Sequence, residues 1–402
     1  MTDSPHTPEN NSILKQPVAV WALAFACAVS LMGIGLVDPI LPAISRELDA
    51  TPTQTMLLFT SYLLITALAM FFSAFISSRI GVKTTLLIGL ALIVAFSALS
   101  GAAGSVDAII GFRAGWGLGN ALFISTALAA IVGAAAGHAG QAVILYEAAI
   151  GVGMAVGPLV GGVLGEISWR APFYGTAVLM AAGFIAIATL LAKAERKPEP
   201  VALTAGLAAA KDPALLTLGV VAFFYNFGFF TLLAYSPYPI EEAAALSGSN
   251  FGATELGYVF FGWGLALAVS SVFIAPRLTR AFGLMPVVVT VLIGFSAILA
   301  GLGFGVHKLG VVVVLVILAG VFSGVFNTVL TEAVMEATEM PRNVASSSYS
   351  GMRFLGGAVA PAVSGPLAAS LGTGVPYWFG AGSLLVSLLI LFAGRKTLHR
   401  IV

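Results

Sequence analysis

The chain has 402 residues, of which 59% are hydrophobic and 9% charged, with a mean hydropathy of +1.03 and a net charge of +1. A soluble domain carries about 25% charged residues, so this chain is too apolar to cover its own surface in water. The balanced charge gives no indication of a nucleic-acid partner. The single cysteine, Cys27, excludes an internal disulfide, and with four scattered histidines we expect neither a metal nor a cofactor.

Apolar runs long enough to cross a bilayer recur along the chain. A membrane helix needs about 20 mostly apolar residues, and twelve such runs follow a polar segment over 1–17. In chain order they cover 18–42, 56–76, 84–102, 107–134, 141–164, 172–192, 214–236, 255–275, 285–305, 310–333, 344–370 and 376–393. The sequence therefore predicts an all-α integral membrane protein with twelve transmembrane helices.

One long polar break divides the twelve runs into two sets of six. We expect an N-terminal bundle over 18–192, a linker over 193–213, a C-terminal bundle over 214–393 and a short tail over 394–402. An even number of spans puts both ends and the linker on one side of the membrane. Of the 18 Lys and Arg residues, 13 fall on that side and three on the other. Because cytoplasmic loops carry excess Lys and Arg, both termini and the linker are predicted to be cytoplasmic in a cell membrane.

The two sets of six runs are related by a weak internal repeat at an offset near 203. Gly117 corresponds to Gly320, and a Gly/Pro cluster in the fifth run has a partner in the eleventh. The cluster members Gly153, Gly157, Pro158, Gly161 and Gly162 fall on Gly356, Ala360, Pro361, Ser364 and Gly365. Related six-helix halves are typical of transporters whose substrate site lies between the halves near the midplane.

Four short patterns stand at the ends or in the middle of these runs. The loop after the second run reads Ser78-Arg79-Ile-Gly81-Val82-Lys83, and the first run ends in Asp38-Pro39-Ile-Leu-Pro42. The fourth run contains Arg113-Ala-Gly-Trp116-Gly117-Leu-Gly119-Asn120, and the fifth contains Gly153-Met-Ala-Val-Gly157-Pro158-Leu-Val-Gly161-Gly162. Over its whole length the chain resembles the major facilitator superfamily, and within it the twelve-helix drug:proton antiporters.

The resemblance implies two pseudo-symmetric six-helix bundles, export rather than uptake, and a proton-coupling role for Arg113. Arg79, Gly81 and Lys83 match the loop pattern of the family, and we expect them to serve conformational change. The Gly/Pro cluster of the fifth run allows close packing and bending, which suits alternating access, with ordinary helix packing as the alternative. The loop pattern departs from the family at two positions, because Ser78 replaces an Asp and Val82 an Arg. Since that Asp is thought to hold the inward gate shut, this chain must close the gate through other contacts.

Ionisable groups inside the membrane are the candidates for proton coupling. Such groups are expensive in lipid, at about 2.5–3.5 kcal/mol each on insertion scales, and normally face the bundle interior or a water-filled cavity. The candidates are Asp38, Glu147, Glu332, Glu336 and Arg113. Pro39 disfavours helix at Asp38, which predicts an irregular backbone there. We expect Glu332→Gln to weaken the pH dependence of transport. The alternatives are carboxylates at the membrane surface and a snorkelling arginine.

The candidate substrate-binding residues are Tyr225, Asn226, Trp116, Asn120 and Arg353. Tyr225 and Asn226 each carry a polar group that lipid would penalise, and Trp116 and Asn120 share a helix face with Arg113. Arg353 either pairs with an acid of the tenth run or snorkels. Aromatic side chains in a pocket can stack on flat, greasy or cationic compounds, although core packing explains most single aromatics.

The main hypothesis is proton-coupled antiport that exports small hydrophobic or cationic compounds by alternating access. No Walker loop is present, so the energy must come from an ion gradient or the solute. The alternatives are a dedicated exporter of a sugar, siderophore or amino-acid derivative, and a non-transporting receptor. No constellation of nucleophile and base indicates an enzyme. The expected partners are a small-molecule substrate, protons and the lipid bilayer, with the protein a monomer.

Overall fold

A computed structural model describes residues 16–135, 139–192, 200–340 and 342–398, without the side chains of 139–144, 147, 342 and 343. Within these residues, twelve helices are long and apolar enough to cross a membrane, as predicted. They are α1 (Val18–Glu47), α2 (Pro52–Ile80), α3 (Val82–Ala102), α4 (Val106–Ala134), α5 (Ala139–Ile167), α6 (Ala171–Leu190), α7 (Pro213–Tyr235), α8 (Ala253–Phe282), α9 (Leu284–Gly305), α10 (Leu309–Ala337), α11 (Arg342–Leu371) and α12 (Val375–Ala393). Helices α1–α6 form one half and α7–α12 the other.

The membrane face at which α1 and α7 begin is called the linker side, and the other face the opposite side. Several helices extend beyond their apolar runs because polar residues cap them. Thr51 and Gln54 form a reciprocal capping box that starts α2 at Pro52. The Asp212 carboxylate accepts a hydrogen bond of 2.9 Å from the Leu215 amide at the start of α7. Hydropathy marks the membrane core, whereas caps set the helix ends.

Helix α1 is interrupted near the opposite side. Its α-helical part ends at Gly35, a 3-10 turn covers Asp38–Ile40, and a further helix runs over Leu41–Glu47. This break lies where the sequence predicts irregular backbone before Pro39. The turn contacts both α5 and α8, so Asp38 lies close to the boundary between the two halves.

Equivalent glycines make equivalent helix contacts in the two halves. A Cβ at Gly153 in α5 would lie 3.0 Å from the carbonyl carbon of Ala28 in α1, and one at Gly356 in α11 would lie 2.6 Å from that of Phe223 in α7. Gly117 likewise packs on the Tyr62 carbonyl of α2, and Gly320 on the Trp263 carbonyl of α8. Small residues let helix backbones approach closely. The repeat seen in the sequence is therefore a repeat of backbone packing.

The two halves meet through α2 with α11 and through α5 with α8. Near the opposite side, a Cβ at Gly162 would lie 2.5 Å from the Ala253 oxygen, but toward the linker side the nearest atom to one at Gly151 is the Ala268 Cβ at 3.7 Å. Helices α5 and α8 thus pack more closely at Gly162 than at Gly151.

Polar contacts across the halves accompany the closure of the opposite side. Arg46 at the end of α1 forms an ion pair with Glu241 of the helix Pro237–Leu246, and the hydroxyls of Thr55 and Tyr238 are hydrogen-bonded. We call these four residues the outer latch. Desolvation raises the pKa of the Tyr238 hydroxyl, which therefore stays protonated at neutral pH.

The linker contacts both halves. A short helix, Ala205–Ala209, packs against α2 and α11, and a Cβ at Gly206 would lie 3.1 Å from the carbonyl carbon of Phe71. The Ser78 hydroxyl accepts a hydrogen bond of 3.2 Å from the Val201 amide. Ser78, where the family pattern has Asp, thus fastens the linker to the end of α2.

Candidate functional site

Asp38 and Arg113 lie near one another in the N-terminal half, and both are fully buried with 0% exposure. Neither carboxylate oxygen of Asp38 has a hydrogen-bond partner, and the two side chains are not within ion-pair distance. An unpartnered buried carboxylate is costly, so a proton or an approaching cation must neutralise it. The Asp38 carboxyl group and the Arg113 guanidinium therefore lie near one another without a hydrogen bond or an ion pair between them.

Aromatic rings and backbone carbonyls hold the Arg113 guanidinium. Its central carbon lies 4.4 Å from the centre of the Tyr62 ring and 4.6 Å from that of Trp116. Its Nε donates to the Leu58 carbonyl at 3.4 Å and its Nη1 to the Gly33 carbonyl at 3.5 Å, whereas Nη2 has no partner. Cation–π contacts of this kind are worth about 2 kcal/mol when desolvated. They keep the cation in the bilayer without using Asp38.

Tyr62 is a site residue that the sequence reasoning missed. It is fully buried in α2, its ring meets that of Trp116 edge-on at 6.2 Å, and its hydroxyl has no hydrogen-bond partner. The available signal was a tyrosine hydroxyl in an apolar run, the same signal that selected Tyr225. Without the spatial position of Arg113, nothing distinguishes Tyr62 from a core aromatic residue.

Asn120 lies two turns after Arg113 on α4 and contacts α1. Its Oδ1 accepts a hydrogen bond of 2.6 Å from the Ser30 hydroxyl, and both side chains are buried. Trp116, one turn from Arg113, is also buried, and its Nε1 has no partner. The predicted shared face of Arg113, Trp116 and Asn120 is thus present and points into the bundle.

The remaining candidate acids lie elsewhere. Glu332 and Glu336 are exposed near the linker-side end of α10. Val314 and Leu318, about five and four turns earlier on the same helix face as Glu332, are 62% and 41% exposed. Glu332 therefore lies on an exposed face of α10. The structure does not bring Glu332 or Glu336 to Asp38. The side chain of Glu147 lies outside the described residues.

A second buried polar cluster lies in the C-terminal half. Arg353 of α11 donates from Nε to the Asn226 Oδ1 of α7 at 3.4 Å and interacts with the Tyr349 hydroxyl. Tyr225 stacks on Phe326 of α10 with ring centres 3.8 Å apart. Within the described residues Arg353 forms no ion pair, so of the two alternatives, pairing with an acid of α10 is not observed.

The Gly/Pro cluster of α5 serves two interfaces. Gly153, Gly157 and Gly161 face α1, opposite the backbone of Ala28, Met32 and Leu36, whereas Gly162 faces α8. The ring of Pro158 packs against Gly35, just before the break in α1, because a Cβ at Gly35 would lie 2.8 Å from the Pro158 Cδ. This cluster therefore fixes the backbone that carries Asp38 and also forms part of the contact between the halves.

The loop residues tie helix ends together on the linker side. Gly81 has φ +88°, a conformation that favours glycine, and Gly283 between α8 and α9 repeats it with φ +82°. The Lys83 ammonium donates to the carbonyls of Ala188 and Leu191 at the end of α6, at 2.8 Å for Ala188. Arg79 lies over the Phe75 ring, with 5.3 Å between the guanidinium carbon and the ring centre. In the described part of the chain, no three His, Cys, Asp or Glu residues come together as a metal site would require.

The model of the Major Facilitator Superfamily matches residues 23–247, more than half of the chain. The chain belongs to the major facilitator superfamily. The multidrug efflux protein YfmO of Bacillus subtilis is similar over nearly the whole chain: it is 49% identical over 390 residues, which cover 97% of this chain and 96% of that protein. The expected likeness to drug exporters of this superfamily is confirmed.

Solved structures with the same fold share little sequence with this member of the superfamily. The human organic anion transporter MFSD10 (TETRAN) is 17% identical, with a TM-score of 0.72 over 93% of this chain and 99% of that one. A mutant of the nucleoside transporter NupG is 11% identical, with a TM-score of 0.75 over 94% of this chain and 99% of that one. At such identities the likeness establishes the fold alone.

Proposed function

We propose that this protein exports small, largely hydrophobic or cationic compounds from the cell by proton-coupled antiport, and that it has no catalytic activity. The observation that carries the proposal is the 49% identity to a multidrug efflux protein over 97% of the chain. The buried Asp38 carboxyl group, which lies near the Arg113 guanidinium and can bind a proton, supports the proton-coupling part of the proposal.

The proposed orientation places the linker side in the cytoplasm of a cell-membrane protein. Arg79, Lys83, Lys211, Arg277 and Arg280 are on that side in the structure, whereas Arg46, Arg170 and Lys308 are on the other. This asymmetry follows the positive-inside rule. The opposite side, closed by the outer latch and by α5 against α8, then faces outward. We propose a monomer as the functional unit.

The position of Asp38 in the break of α1 supports proton coupling. The turn Asp38–Ile40 contacts α8, so separation of the halves on the outer side would expose the carboxyl group to water. A proton taken up there neutralises Asp38, which can then be buried with Arg113 held by Tyr62 and Trp116. When the proton leaves toward the cytoplasm, the carboxylate attracts the guanidinium, and this change of partners drives the return step.

The experiment that tests the function is efflux of fluorescent lipophilic cations from cells that lack their own exporters, with and without a protonophore. We expect efflux that depends on the protein and collapses when the protonophore is added. If the protein is present in the membrane and no dye is exported, a multidrug function is refuted, and the dedicated metabolite exporter becomes the hypothesis to test.

Asp38→Asn tests the coupling site separately. The amide keeps the shape of the side chain but cannot take up and release a proton, so we expect uphill efflux to fall by at least tenfold. Downhill exchange of dye in vesicles without a gradient should persist. The matched control is Asp107→Asn, at an exposed position on the same outer side at the start of α4, which should leave both activities unchanged. Normal uphill efflux by Asp38→Asn would exclude this carboxyl group as the proton carrier.

A further inference from the structure

The polar cluster of the C-terminal half lies at mid-depth in the membrane. We call Tyr225, Asn226, Ser323, Tyr349 and Arg353 the donor cluster. Tyr225 is 12 residues after the start of α7, which corresponds to about 18 Å along the helix axis. Ser323 is 14 residues after the start of α10. Since α7 has 23 residues and α10 has 29, both positions lie near the middle of their helices.

The internal repeat supplies a direct comparison for this cluster. The offset of 195 that relates Ala28 to Phe223 also relates Ser30 to Tyr225, and the offset of 203 that relates Gly117 to Gly320 also relates Asn120 to Ser323. In the N-terminal half the equivalent pair, Ser30 and Asn120, forms a buried hydrogen bond of 2.6 Å. In the C-terminal half the hydroxyls of Tyr225 and Ser323 interact with each other, but neither reaches the geometry of a full hydrogen bond.

Buried polar groups are normally satisfied, because an unmade hydrogen bond costs about 1–3 kcal/mol. Tyr225 is 1% exposed and Ser323 0% exposed, so water at the protein surface does not satisfy them. Because the Tyr225 and Ser323 hydroxyls interact only loosely where the other half makes a short hydrogen bond, they remain able to donate to a stronger acceptor.

The charge of the cluster shows what kind of partner it lacks. Arg353 is a cation inside the membrane, and no carboxylate among the described residues forms an ion pair with it. The Asn226 Oδ1 already accepts from Arg353, and the Asn226 Nδ2 donates to the Ala222 carbonyl at 3.0 Å. The groups left over are the guanidinium and hydroxyls that can donate. A cation without an acid in lipid is expensive and gains most from an anion.

Aromatic side chains surround Tyr225. Besides stacking on Phe326, the Tyr225 ring lies 5.7 Å from that of Phe295 and 5.9 Å from that of Phe229. Arg353 is only partly buried, so it is the member that a compound between the halves can reach first. We infer that the donor cluster binds a carboxylate, or a comparably strong acceptor, on an aromatic compound carried by this protein. The inference rests on the proposed function and adds to its substrate class: among the aromatic compounds carried, those that also bear an anionic group are bound more tightly.

Two dyes that differ in one group test the inference. Rhodamine 110 has a free carboxylate, and rhodamine 123 is its methyl ester with the same ring system. Binding is measured by fluorescence anisotropy on the purified full-length protein in lipid nanodiscs, which needs no proton gradient. The variants are Arg353→Gln and Tyr225→Phe, the second of which removes only the hydroxyl and keeps the stacking on Phe326. Tyr258→Phe, at an exposed position on α8, is the matched control.

We expect the wild type to bind the carboxylate dye more tightly than the ester. Arg353→Gln should weaken binding of the carboxylate dye about tenfold or more, and Tyr225→Phe about threefold, with ester binding changed less than twofold. Tyr258→Phe should bind both dyes as the wild type does. Equal losses for both dyes, no loss for the carboxylate dye, or no binding of that dye to the wild type overturns the inference.

The same dyes separate this inference from the proposed function. Selective carboxylate binding without protonophore-sensitive export of either dye would uphold the donor cluster and refute proton-driven export of these compounds. Export of both dyes with equal sensitivity to Arg353→Gln would uphold export and refute the donor cluster.

Discussion

Substitution of Gly153 by alanine tests whether backbone contact between α5 and α1 holds the Asp38 segment in place. The new Cβ would lie 3.0 Å from the carbonyl carbon of Ala28, 3.1 Å from its Cα and closer still to its oxygen. Because all three atoms belong to the backbone, no rotation of a side chain relieves the contact. Helix α1 must therefore move away from α5 at the point where the two helices cross.

The structure also gives the expected size of the effect. Overpacking costs about 1–3 kcal/mol, and a contact with rigid backbone belongs at the upper end of that range. Alanine favours helix over glycine by about 1 kcal/mol. The net loss in the free energy of unfolding is then about 2 kcal/mol. Because α1 carries Asp38, we also expect proton-driven efflux to fall several-fold.

Gly151→Ala is the matched control, two residues away in the same helix. Its Cβ would find only the Ala268 Cβ at 3.7 Å, an ordinary contact. We expect this variant to be as stable as the wild type or slightly more so, with full efflux. The assay is the melting temperature of each purified variant in detergent, paired with dye efflux. Equal melting temperatures and efflux for Gly153→Ala and Gly151→Ala would refute the reasoning.

Three further predictions concern the membrane faces and the interior. In the outer latch, a double-mutant cycle with Arg46→Ala and Glu241→Ala, measured by thermal unfolding, should give a coupling free energy of only about 0.2–1 kcal/mol, because Arg46 is largely exposed. A coupling above about 2 kcal/mol would contradict this. Gly81→Ala should lose about 1–3 kcal/mol of stability because its φ is +88°, and an unchanged melting temperature would show that the turn tolerates a side chain. Cys27, fully buried, should resist a membrane-permeant maleimide until the protein is unfolded in detergent; mass spectrometry of the native protein that shows rapid labelling would contradict its burial.

The fold could be predicted from the sequence to the extent that its signals are local. Hydropathy counts spans independently of what packs on them, so the twelve helices were predictable. The break in α1 was predictable as well, because the restriction that Pro39 places on Asp38 acts between neighbours. The shared face of Arg113 and Trp116 followed from helical periodicity.

The candidate site was less predictable because its contacts join distant parts of the chain. Tyr62 and Arg113 are 51 residues apart, and only the crossing of α2 and α4 brings them together. Glu332 and Asp38 are both acids in apolar runs, yet one is exposed on α10 and the other is fully buried. Hydropathy assigns depth in the membrane but not direction around a helix, and direction decides which acids face the interior.

The repeated glycine contacts bear on how such proteins diversify. The glycines contact backbone carbonyl groups, so the helix crossings do not depend on which side chains the partner helix carries. Gly117 and Gly320 build the same crossing, although four residues earlier one half has Arg113 and the other Val316. Chemistry can therefore change in one half without disturbing the architecture of either. New compounds can be accommodated through substitutions in the C-terminal half while the charged residues of the N-terminal half are inherited unaltered.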